Sequence, residues 1–278
     1  MTPAFSLEGV SKRFRRADGS WTEALQGVNL EVRPGEAVTV VGPSGAGKTT
    51  LMRLLNLSLR PDTGELRVDG TDPAALSLGG LRRLRARTAT VYQQHHLVPP
   101  LRVVHNILAG RLSSWSLLRA ALSLLSPREL ERAAQAANEV GILDKLWERT
   151  DRLSGGQQQR VAIARALVQN PRHLLADEPV ASVDPSLADA LVGLLRRLSG
   201  EEGKTLIVNL HDVPLALRHF ERVVGIRAGR VFFDLPSAGV DSSLLVSLYE
   251  GDEELTTGVR QWLQEIFQAG QSQAGPPK

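Results

Sequence analysis

No cysteine occurs among the 278 residues of the chain, which excludes disulfide bonds and thiolate metal sites and is compatible with a reducing compartment. Long hydrophobic runs are also missing, because no stretch approaches the ~18 uncharged apolar residues that a membrane-spanning helix needs. Residues 1–6 lack a basic start followed by an apolar core, so no secretory signal is predicted. These absences predict a chain that is made and kept in the cytosol.

A large excess of one charge is absent too. The formal net charge is +3, and the densest basic run, residues 81–87, is interpreted as a solvated helix face rather than as a phosphate-binding surface. We therefore predict no nucleic-acid partner. With 42% hydrophobic and 23% charged residues, the chain has an ordinary globular composition and is long enough for one large α/β domain or two small ones.

The apolar patterns predict strands that alternate with helices. Strands are expected at 5–14 and 25–32, as an antiparallel pair, and at 37–41, 65–68, 88–92, 173–176, 205–210 and 223–226. Helices are expected at 51–59, 185–198, 214–222 and 242–249, and helical spacing between 98 and 147 predicts an inserted group of helices. A last helix is predicted at 253–268, before a disordered tail at 269–278. This order predicts a largely parallel sheet with helices on both faces.

The stretch GPSGAGKTT at residues 42–50 has the pattern of a phosphate-binding loop, and it follows an apolar strand and precedes a helix. Its glycines allow backbone N–H groups to face phosphates, while the N-terminus of the helix adds its positive end. We expect Lys48 to contact the β and γ phosphates and Thr49 to offer its hydroxyl to Mg²⁺. The predicted nucleotide-binding residues of the loop are Gly42, Pro43, Ser44, Gly45, Ala46, Gly47, Lys48, Thr49 and Thr50.

Two adjacent acids, Asp177 and Glu178, follow the apolar strand at 173–176, at the sheet edge where ligands of open α/β sheets bind. Neighbouring strand residues point to opposite sides, so the two acids should have different roles if the strand continues through them. We expect Asp177 to hold Mg²⁺ and Glu178 to orient or deprotonate the attacking water.

The stretch LSGGQ at residues 153–157 precedes another helical pattern. Ser154 is a candidate N-cap, and Gly155 and Gly156 leave the amide donors of the helix open to an anion. Because the chain has only one nucleotide cradle, this second anion-binding helix end, which includes Gln157, indicates a dimer. Two copies that meet head to tail would each close over the ATP of the other.

These three motifs together resemble the ATP-binding subunits of ABC transporters, and the resemblance runs from about residue 5 to residue 234. It implies ATP and Mg²⁺ as ligands and a P-loop α/β fold with a mixed, mainly parallel sheet. An N-terminal antiparallel β subdomain and an α-helical subdomain inserted at about 95–160 are also implied. The ATPase domain would occupy residues 1–240, and residues 241–278 would form C-terminal helices and a flexible tail.

The resemblance also implies roles for residues that pattern alone leaves ordinary. Gln93 is implied to link Mg²⁺ and the attacking water to the membrane partner, and His211 to contact the γ-phosphate. Asp184 is implied to lie in a loop that crosses the dimer interface. Phe14 corresponds to the aromatic residue that stacks on adenine, with Trp21 as the competing candidate. The implied catalytic residues are Lys48, Gln93, Glu178 and His211, and the implied Mg²⁺ ligands are Thr49, Gln93 and Asp177.

Within this family, the spellings YQQH, GRLSSW, LSGGQQQR, DEPVASVD and VNLH look like those of phosphonate importers. That resemblance implies two transmembrane permease subunits, an external solute-binding protein and a peripheral position at the cytoplasmic face of the inner membrane. Phosphite or another phosphorus oxyanion would leave the same sequence, and a polar amino acid is a weaker alternative. A soluble ABC ATPase would usually carry two cassettes or a long coiled-coil insertion, and a non-hydrolysing module would have lost a catalytic residue.

Overall fold

The computed structural model describes residues 2–94, 96–181 and 183–250. The strands are β1 Phe5–Arg15, β2 Trp21–Val32, β3 Ala37–Val41, β4 Thr63–Val68, β5 Thr88–Tyr92, β6 His173–Asp177, β7 Thr205–Asn209, β8 Arg222–Arg227 and β9 Arg230–Pro236. The α-helices are α1 Lys48–Leu55, α2 Leu78–Arg85, α3 Val103–Leu108, α4 Leu117–Leu125, α5 Leu130–Glu139, α6 Gly155–Val168, α7 Pro185–Glu201, α8 Val213–His219 and α9 Ser242–Tyr249.

The strands form two sheets. β1 pairs antiparallel with both β2 and β4, which confirms the predicted antiparallel pair at the N-terminus. The second sheet has the order β5-β6-β7-β3-β8-β9, and all its neighbouring strands are parallel except β8 and β9. Because carboxyl ends of parallel strands meet at one edge, the residues that follow β3, β5, β6 and β7 lie along the same edge.

Side chains on the two faces of the six-stranded sheet pack into two separate hydrophobic cores. Leu174, Ala176 and Val208 belong to a core with apolar residues of α3 and α5 to α9. Leu175 and Ile207 face the other way and pack with α1 and the three-stranded sheet. The expectation of helices on both faces is therefore met, although the three-stranded sheet shares the second face with α1.

The helical insert lies against α6, on which both α3 and α5 pack. Asn106 of α3 is buried and fixes the chain that enters the insert, because its side chain accepts from the Val98 N–H at 2.8 Å and donates to Thr150 Oγ1 at 2.7 Å. Because this one buried amide both accepts and donates a hydrogen bond, it joins a residue that precedes the insert to a residue that follows it. The insert is therefore anchored at its entrance and its exit.

Several predicted limits differ from the structure. α1 begins at Lys48, before the predicted start at 51, because Gly47 in the left-handed conformation is already its N-cap. The helix predicted at 214–222 ends at His219, since Arg222 begins β8. β9 was not predicted, because it is a largely exposed edge strand with a weak apolar pattern.

In the part of the chain that the structure describes, no helix is both long enough and apolar enough to cross a bilayer. The helix predicted at 253–268 and the tail predicted at 269–278 lie outside the described residues. The helix predicted at 242–249 is confirmed with those same limits, as α9.

Candidate active site

The loop between β3 and α1 is folded so closely that two of its glycines are required. A Cβ atom on Gly42, which has φ of +149°, would lie 2.1 Å from the carbonyl oxygen of Ile226. A Cβ atom on Gly47, with φ of +108°, would lie 2.4 Å from the carbonyl oxygen of Ala24. The backbone of β8 and of β2 therefore encloses the loop, and only glycine fits at these two positions.

Lys48 joins the two ends of this loop. Its side chain is 4% exposed, and its Nζ donates to the carbonyl oxygen of Gly42 at 2.6 Å and to that of Pro43 at 3.0 Å. These carbonyls orient the ammonium group along the inner side of the loop, where backbone N–H groups and the N-terminus of α1 also meet. The combination is suited to an anion with several phosphates.

A cavity of about 250 Å³ lies over the loop. Residues 44–50 form its floor, Thr22, Glu23 and Ala24 of β2 form one wall, and Glu178 and His211 close the opposite side. The structure thus brings most of the predicted nucleotide-binding residues to one cavity, together with three of the four predicted catalytic residues, Lys48, Glu178 and His211.

Asp177 is the last residue of β6 and is buried. Its Oδ1 accepts from Asn209 Nδ2 at 2.7 Å and from Thr49 Oγ1 at 3.4 Å. Burial raises the pKa of the Asp177 carboxyl, while the hydrogen bond from Asn209 acts in the opposite direction. A buried carboxylate beside a threonine hydroxyl at the mouth of a phosphate loop is a set of oxygen donors that a hard cation accepts.

Glu178 follows the strand with left-handed backbone, at φ of +51°. β6 ends at Asp177, so the alternation expected of a continuing strand does not apply, and the turn itself gives the two acids separate positions. The Glu178 N–H donates to the carbonyl of Asn209 at 3.2 Å. Its Oε1 lies 2.6 Å from Nε2 of His211, two residues past the end of β7.

Gln93 lies directly after β5 and is exposed. The residue before it, Tyr92, pairs with Asp177 on the adjacent strand β6. Gln93 therefore stands on the sheet edge next to the strand that carries the two acids. It also begins the connection that leads into the helical insert.

The two candidate adenine platforms lie on opposite faces of the β1-β2 hairpin. Phe14 pairs with Thr22, which lines the cavity, whereas Trp21 pairs with Arg15. Paired residues of antiparallel strands share a face and alternate along each strand, so Trp21 faces away from Thr22. There it lies under Arg13, whose guanidinium carbon is 4.6 Å from the ring centroid. Glu23, on the same face of β2 as Trp21, lines the cavity as well as Thr22, so both faces of β2 reach the cavity and the stacking role of Phe14 stays a prediction.

Ser154 caps α6, as predicted. Its hydroxyl accepts from the Gln157 N–H at 3.3 Å, and the Gln157 side chain accepts from the Ser154 N–H at 3.0 Å, forming a capping box. A Cβ on Gly155 would meet no atom within 4 Å, whereas one on Gly156 would lie 2.5 Å from Leu187 Cδ2. Residues 154–157 do not line the cavity over the phosphate loop.

Asp184 is exposed and caps α7, because its Oδ1 accepts from the Leu187 N–H at 2.9 Å. Gly156 contacts the side chain of that same Leu187, so the LSGGQ loop and the Asp184 loop lie side by side. The structure therefore places the predicted signature residues and the predicted dimer loop on one surface of the protein.

Sequence reasoning gave no role to Asn209. Its side-chain amide donates to the Asp177 carboxylate, and its backbone carbonyl accepts from the Glu178 N–H. A signal was available, since the polar Asn209 ends the otherwise apolar strand β7 next to β6. Ala24 was also missed, because its carbonyl contacts Gly47 through an irregular register of β1 and β2 that no sequence pattern reveals.

A larger groove of about 830 Å³ lies between the sheet and the helical insert. Arg53 of α1, Arg82 and Arg85 of α2 and Arg165 of α6 line it, and no carboxylate does so among the described residues. Two of these guanidinium groups are oriented by backbone carbonyls: Arg85 donates to the carbonyl of Leu57 at 2.6 Å, and Arg165 to that of His96 at 2.8 Å.

The family model for ABC transporters matches residues 25–181. The phosphonates import ATP-binding protein PhnC of Pseudomonas putida is 48% identical over 250 residues, which are 90% of this chain and 91% of that protein. The protein of the same name from Thiobacillus denitrificans is 44% identical over 256 residues, covering 91% of this chain and 96% of that one.

Two solved structures agree with the fold. The dimeric post-hydrolysis structure of the ATP-binding cassette MJ0796, bound to ADP and Pi, is 30% identical with a TM-score of 0.73 and covers 85% of this chain and all of that one (100%). The structure of cbiO1 from Clostridium perfringens, part of the transporter complex cbiONQ, is 25% identical with a TM-score of 0.73 and covers 94% of this chain and 100% of that one.

Proposed function

The chain belongs to the ABC transporter family as an ATP-hydrolysing subunit, and from that premise we propose that it powers an importer that takes up phosphonates. The family relationship supports binding of ATP. The substrate class follows from relatives that are 44–48% identical over about nine tenths of the chain and are named for phosphonate import. No residue of this subunit need contact the transported molecule.

One observation supports the proposal of ATP hydrolysis most strongly. Glu178 and His211 line the cavity over the phosphate loop, and Glu178 Oε1 lies 2.6 Å from His211 Nε2. Glu178 accepts a proton from the attacking water or orients it, and His211 holds the Glu178 carboxylate and reaches the γ-phosphate. Lys48 contacts the β and γ phosphates, while Phe14 stacks on the adenine. The amides of residues 42–50 surround the phosphates.

Mg²⁺ fits the oxygen donors at the sheet edge. The Thr49 hydroxyl and the Asp177 carboxylate are 3.4 Å apart, and the buried carboxylate, whose charged form is poorly solvated, gains from a nearby cation. Thr49, Asp177 and Gln93 would hold the ion, which supplies charge neutralisation on the β and γ phosphates when bound. Gln93 in addition connects this edge of the sheet to the helical insert.

The active unit is a dimer of two copies arranged head to tail. Residues 154–157 lie outside the cavity of their own chain, and the amides at the N-terminus of α6 are suited to an anion. The Ser154 loop of each copy closes over the ATP of the other, and Asp184, on the same surface, lies at the interface. Two composite sites related by a twofold axis result.

The arginine-lined groove receives a helix of a membrane permease subunit. The groove lies between the sheet and the helical insert, and Tyr92, which lines it, directly precedes Gln93 in sequence. Both facts support this role. We propose an ATPase domain at residues 1–240 with a helical subdomain at about 95–160, and C-terminal helices and a tail at 241–278. The subunit is peripheral, bound at the cytoplasmic face of the inner membrane to two permease subunits, which an external binding protein supplies with substrate.

The test is ATP hydrolysis by the complex with its membrane subunits in lipid. The binding protein is supplied with a phosphonate, phosphite, phosphate, a polar amino acid or no ligand. We expect the phosphonate to stimulate ATP hydrolysis by the wild-type complex. A complex that carries Glu178→Gln should show no such stimulation. Stimulation by another ligand would replace phosphonate as the substrate. The absence of stimulation by any ligand would contradict the importer and favour a soluble ABC ATPase.

A further inference from the structure

Helix α4 presents its apolar side outward. Leu117, Leu118 and Leu125 are 91%, 71% and 86% exposed, whereas Ser123 is buried and Ala120 packs against the core. At 3.6 residues per turn, five leucines fall on one arc of about 160°, with Ser123 and Arg119 on the other side. A helix on the surface of a globular protein has the reverse arrangement. This leucine face consists of Leu117, Leu118, Leu122, Leu124 and Leu125.

A carboxylate next to α4 joins the helix to the protein. Glu129, between α4 and α5, accepts hydrogen bonds from Arg111 Nε at 3.1 Å, Trp115 Nε1 at 3.2 Å and Arg132 at 3.1 Å, and it pairs with Arg119 of α4. Of these residues only Arg119 belongs to α4; its pairing with Glu129, the burial of Ser123 and the packing of Ala120 place the polar side of the helix against the protein. The leucine face is left for a contact outside the described chain.

The composition of α4 itself favours an apolar protein partner over an anionic lipid surface. Arg119 is the charged residue of α4 itself, and it shares the carboxylate of Glu129 with Arg111 and Arg132. Helices that bind anionic membranes keep lysines or arginines available on their polar side for the headgroups. Arg119 of α4 is instead bound to Glu129, and the exposed face of the helix is uncharged; the exposed Arg128 follows α4 and lies outside that face.

The leucine face continues from the groove that is proposed to receive a permease helix. Gly110 and Ser113, in the chain that leads into α4, line that groove, and Arg82 of its wall donates to the carbonyl of Leu112 at 3.2 Å. A partner seated in the groove therefore lies next to the start of α4. The leucine face and the arginine-lined groove form neighbouring parts of one surface.

We propose that the leucine face of α4 docks an apolar cytoplasmic segment of the same membrane subunit whose helix enters the groove. This inference rests on the proposed function, since it requires a membrane partner. The groove is lined by arginines and polar groups, whereas the leucine face is apolar. The two surfaces therefore select different segments of the partner.

The absence of cysteine allows a direct test with one introduced thiol. Leu118→Cys places it on the leucine face, and Leu143→Cys provides a matched control at another exposed leucine (44%), outside α4. Maleimide labelling is measured for the full-length subunit alone, for the subunit with protein-free lipid vesicles, and for the complex with its membrane subunits in lipid. We expect the thiol at position 118 to react at least tenfold more slowly in the complex only, and the control to be unchanged.

A double variant measures whether the contact contributes to assembly. Leu118→Asn with Leu125→Asn should reduce retention of the subunit on the membrane subunits at least fivefold, without changing the ATPase rate or the melting temperature of the isolated subunit. Both side chains are exposed, so little packing within the described chain is lost.

Each alternative occupant of the leucine face predicts a different labelling result. Protection of position 118 in the isolated subunit would mean that a second copy or the chain's own residues cover the face, and protection by vesicles alone would assign the face to lipid; either result overturns the proposal. A complex that assembles while position 118 still reacts rapidly overturns this inference alone. A wild-type subunit that does not assemble with the membrane subunits overturns the proposed function as well.

Discussion

Asp177 and Glu178 are adjacent in sequence but occupy different surroundings. Asp177 is buried at the end of β6 between Asn209 and Thr49, whereas the left-handed turn at Glu178 directs the next carboxylate to His211. A non-glycine residue in this conformation costs free energy, which the surrounding structure must supply. The strained turn therefore separates the acid proposed to bind Mg²⁺ from the acid proposed to act on water.

Glu178→Gln tests the role of the second acid. The amide cannot accept a proton from water, so we expect the ATPase rate to fall by about 10²- to 10⁴-fold while ATP still binds. Steady-state hydrolysis and equilibrium ATP binding are measured on the same preparation. Glu65→Gln, at an exposed position on β4, is the matched control and should keep the wild-type rate. A Glu178→Gln enzyme within threefold of wild type would remove Glu178 from the mechanism.

At the residue scale, the sequence reveals the groups that lie in local motifs. The phosphate loop, the acid pair and the Ser154 cap were predicted because each is a short run with its own physical signature. Asn209 and Ala24 act through contacts between strands that are distant in sequence, as with the 2.7 Å bond from Asn209 to Asp177. Only strand order and register bring such residues together, and these are properties of the folded chain.

At the scale of elements, the N-terminus of α7 combines a role in stability with a proposed role in assembly. Asp184 is both the N-cap of α7 and the proposed interface residue, so its loss has two consequences. Asp241 caps α9 in the same manner, accepting from the Leu244 N–H at 2.8 Å, and has no proposed role in the dimer. The two caps therefore form a matched pair.

We expect Asp184→Ala and Asp241→Ala each to lower the free energy of unfolding by about 1 kcal/mol, as lost N-caps do. Only Asp184→Ala should also weaken dimerisation in the presence of ATP. Urea unfolding of the isolated subunit measures the first effect, and sedimentation with ATP measures the second. Equal dimerisation of the two variants would leave Asp184 with a capping role alone.

The pattern of elements was predicted well where burial is one-sided or complete. β3 and β5 match their predicted limits because they are short, apolar and bounded by polar or glycine residues. The helical spacing of leucines near 117–125 correctly predicted α4, but the usual rule would turn those leucines inward. On the other side of α4, Ser123 is buried and Arg119 pairs with Glu129, an arrangement that hydrophobic periodicity does not record.

At the scale of the whole molecule, the motifs assigned to hydrolysis lie on two different surfaces. The carboxyl ends of β3, β6 and β7 bring the loop, the acids and His211 to one cavity, while the Ser154 loop stands beside the cap of α7, outside it. One chain therefore cannot enclose its own nucleotide with all its motifs in this arrangement. In the proposed dimer, each ATP lies between the cradle of one copy and the Ser154 loop of the other.

The most direct test mixes two inactive variants. Lys48→Ala disables the cradle, and Gly155→Asp places a negative charge where the phosphates of the partner's ATP would lie. A side chain at Gly155 meets no atom within 4 Å, and an acid in the first turn favours the helix, so the second variant should fold normally.

Each variant alone should be nearly inactive, because both of its sites lack one half. In an equal mixture, half of the dimers contain one intact site of two, so ATP hydrolysis should recover to about a quarter of the wild-type rate. A mixture no more active than the separate variants, or a Gly155→Asp dimer that hydrolyses ATP at the wild-type rate, would contradict the composite site.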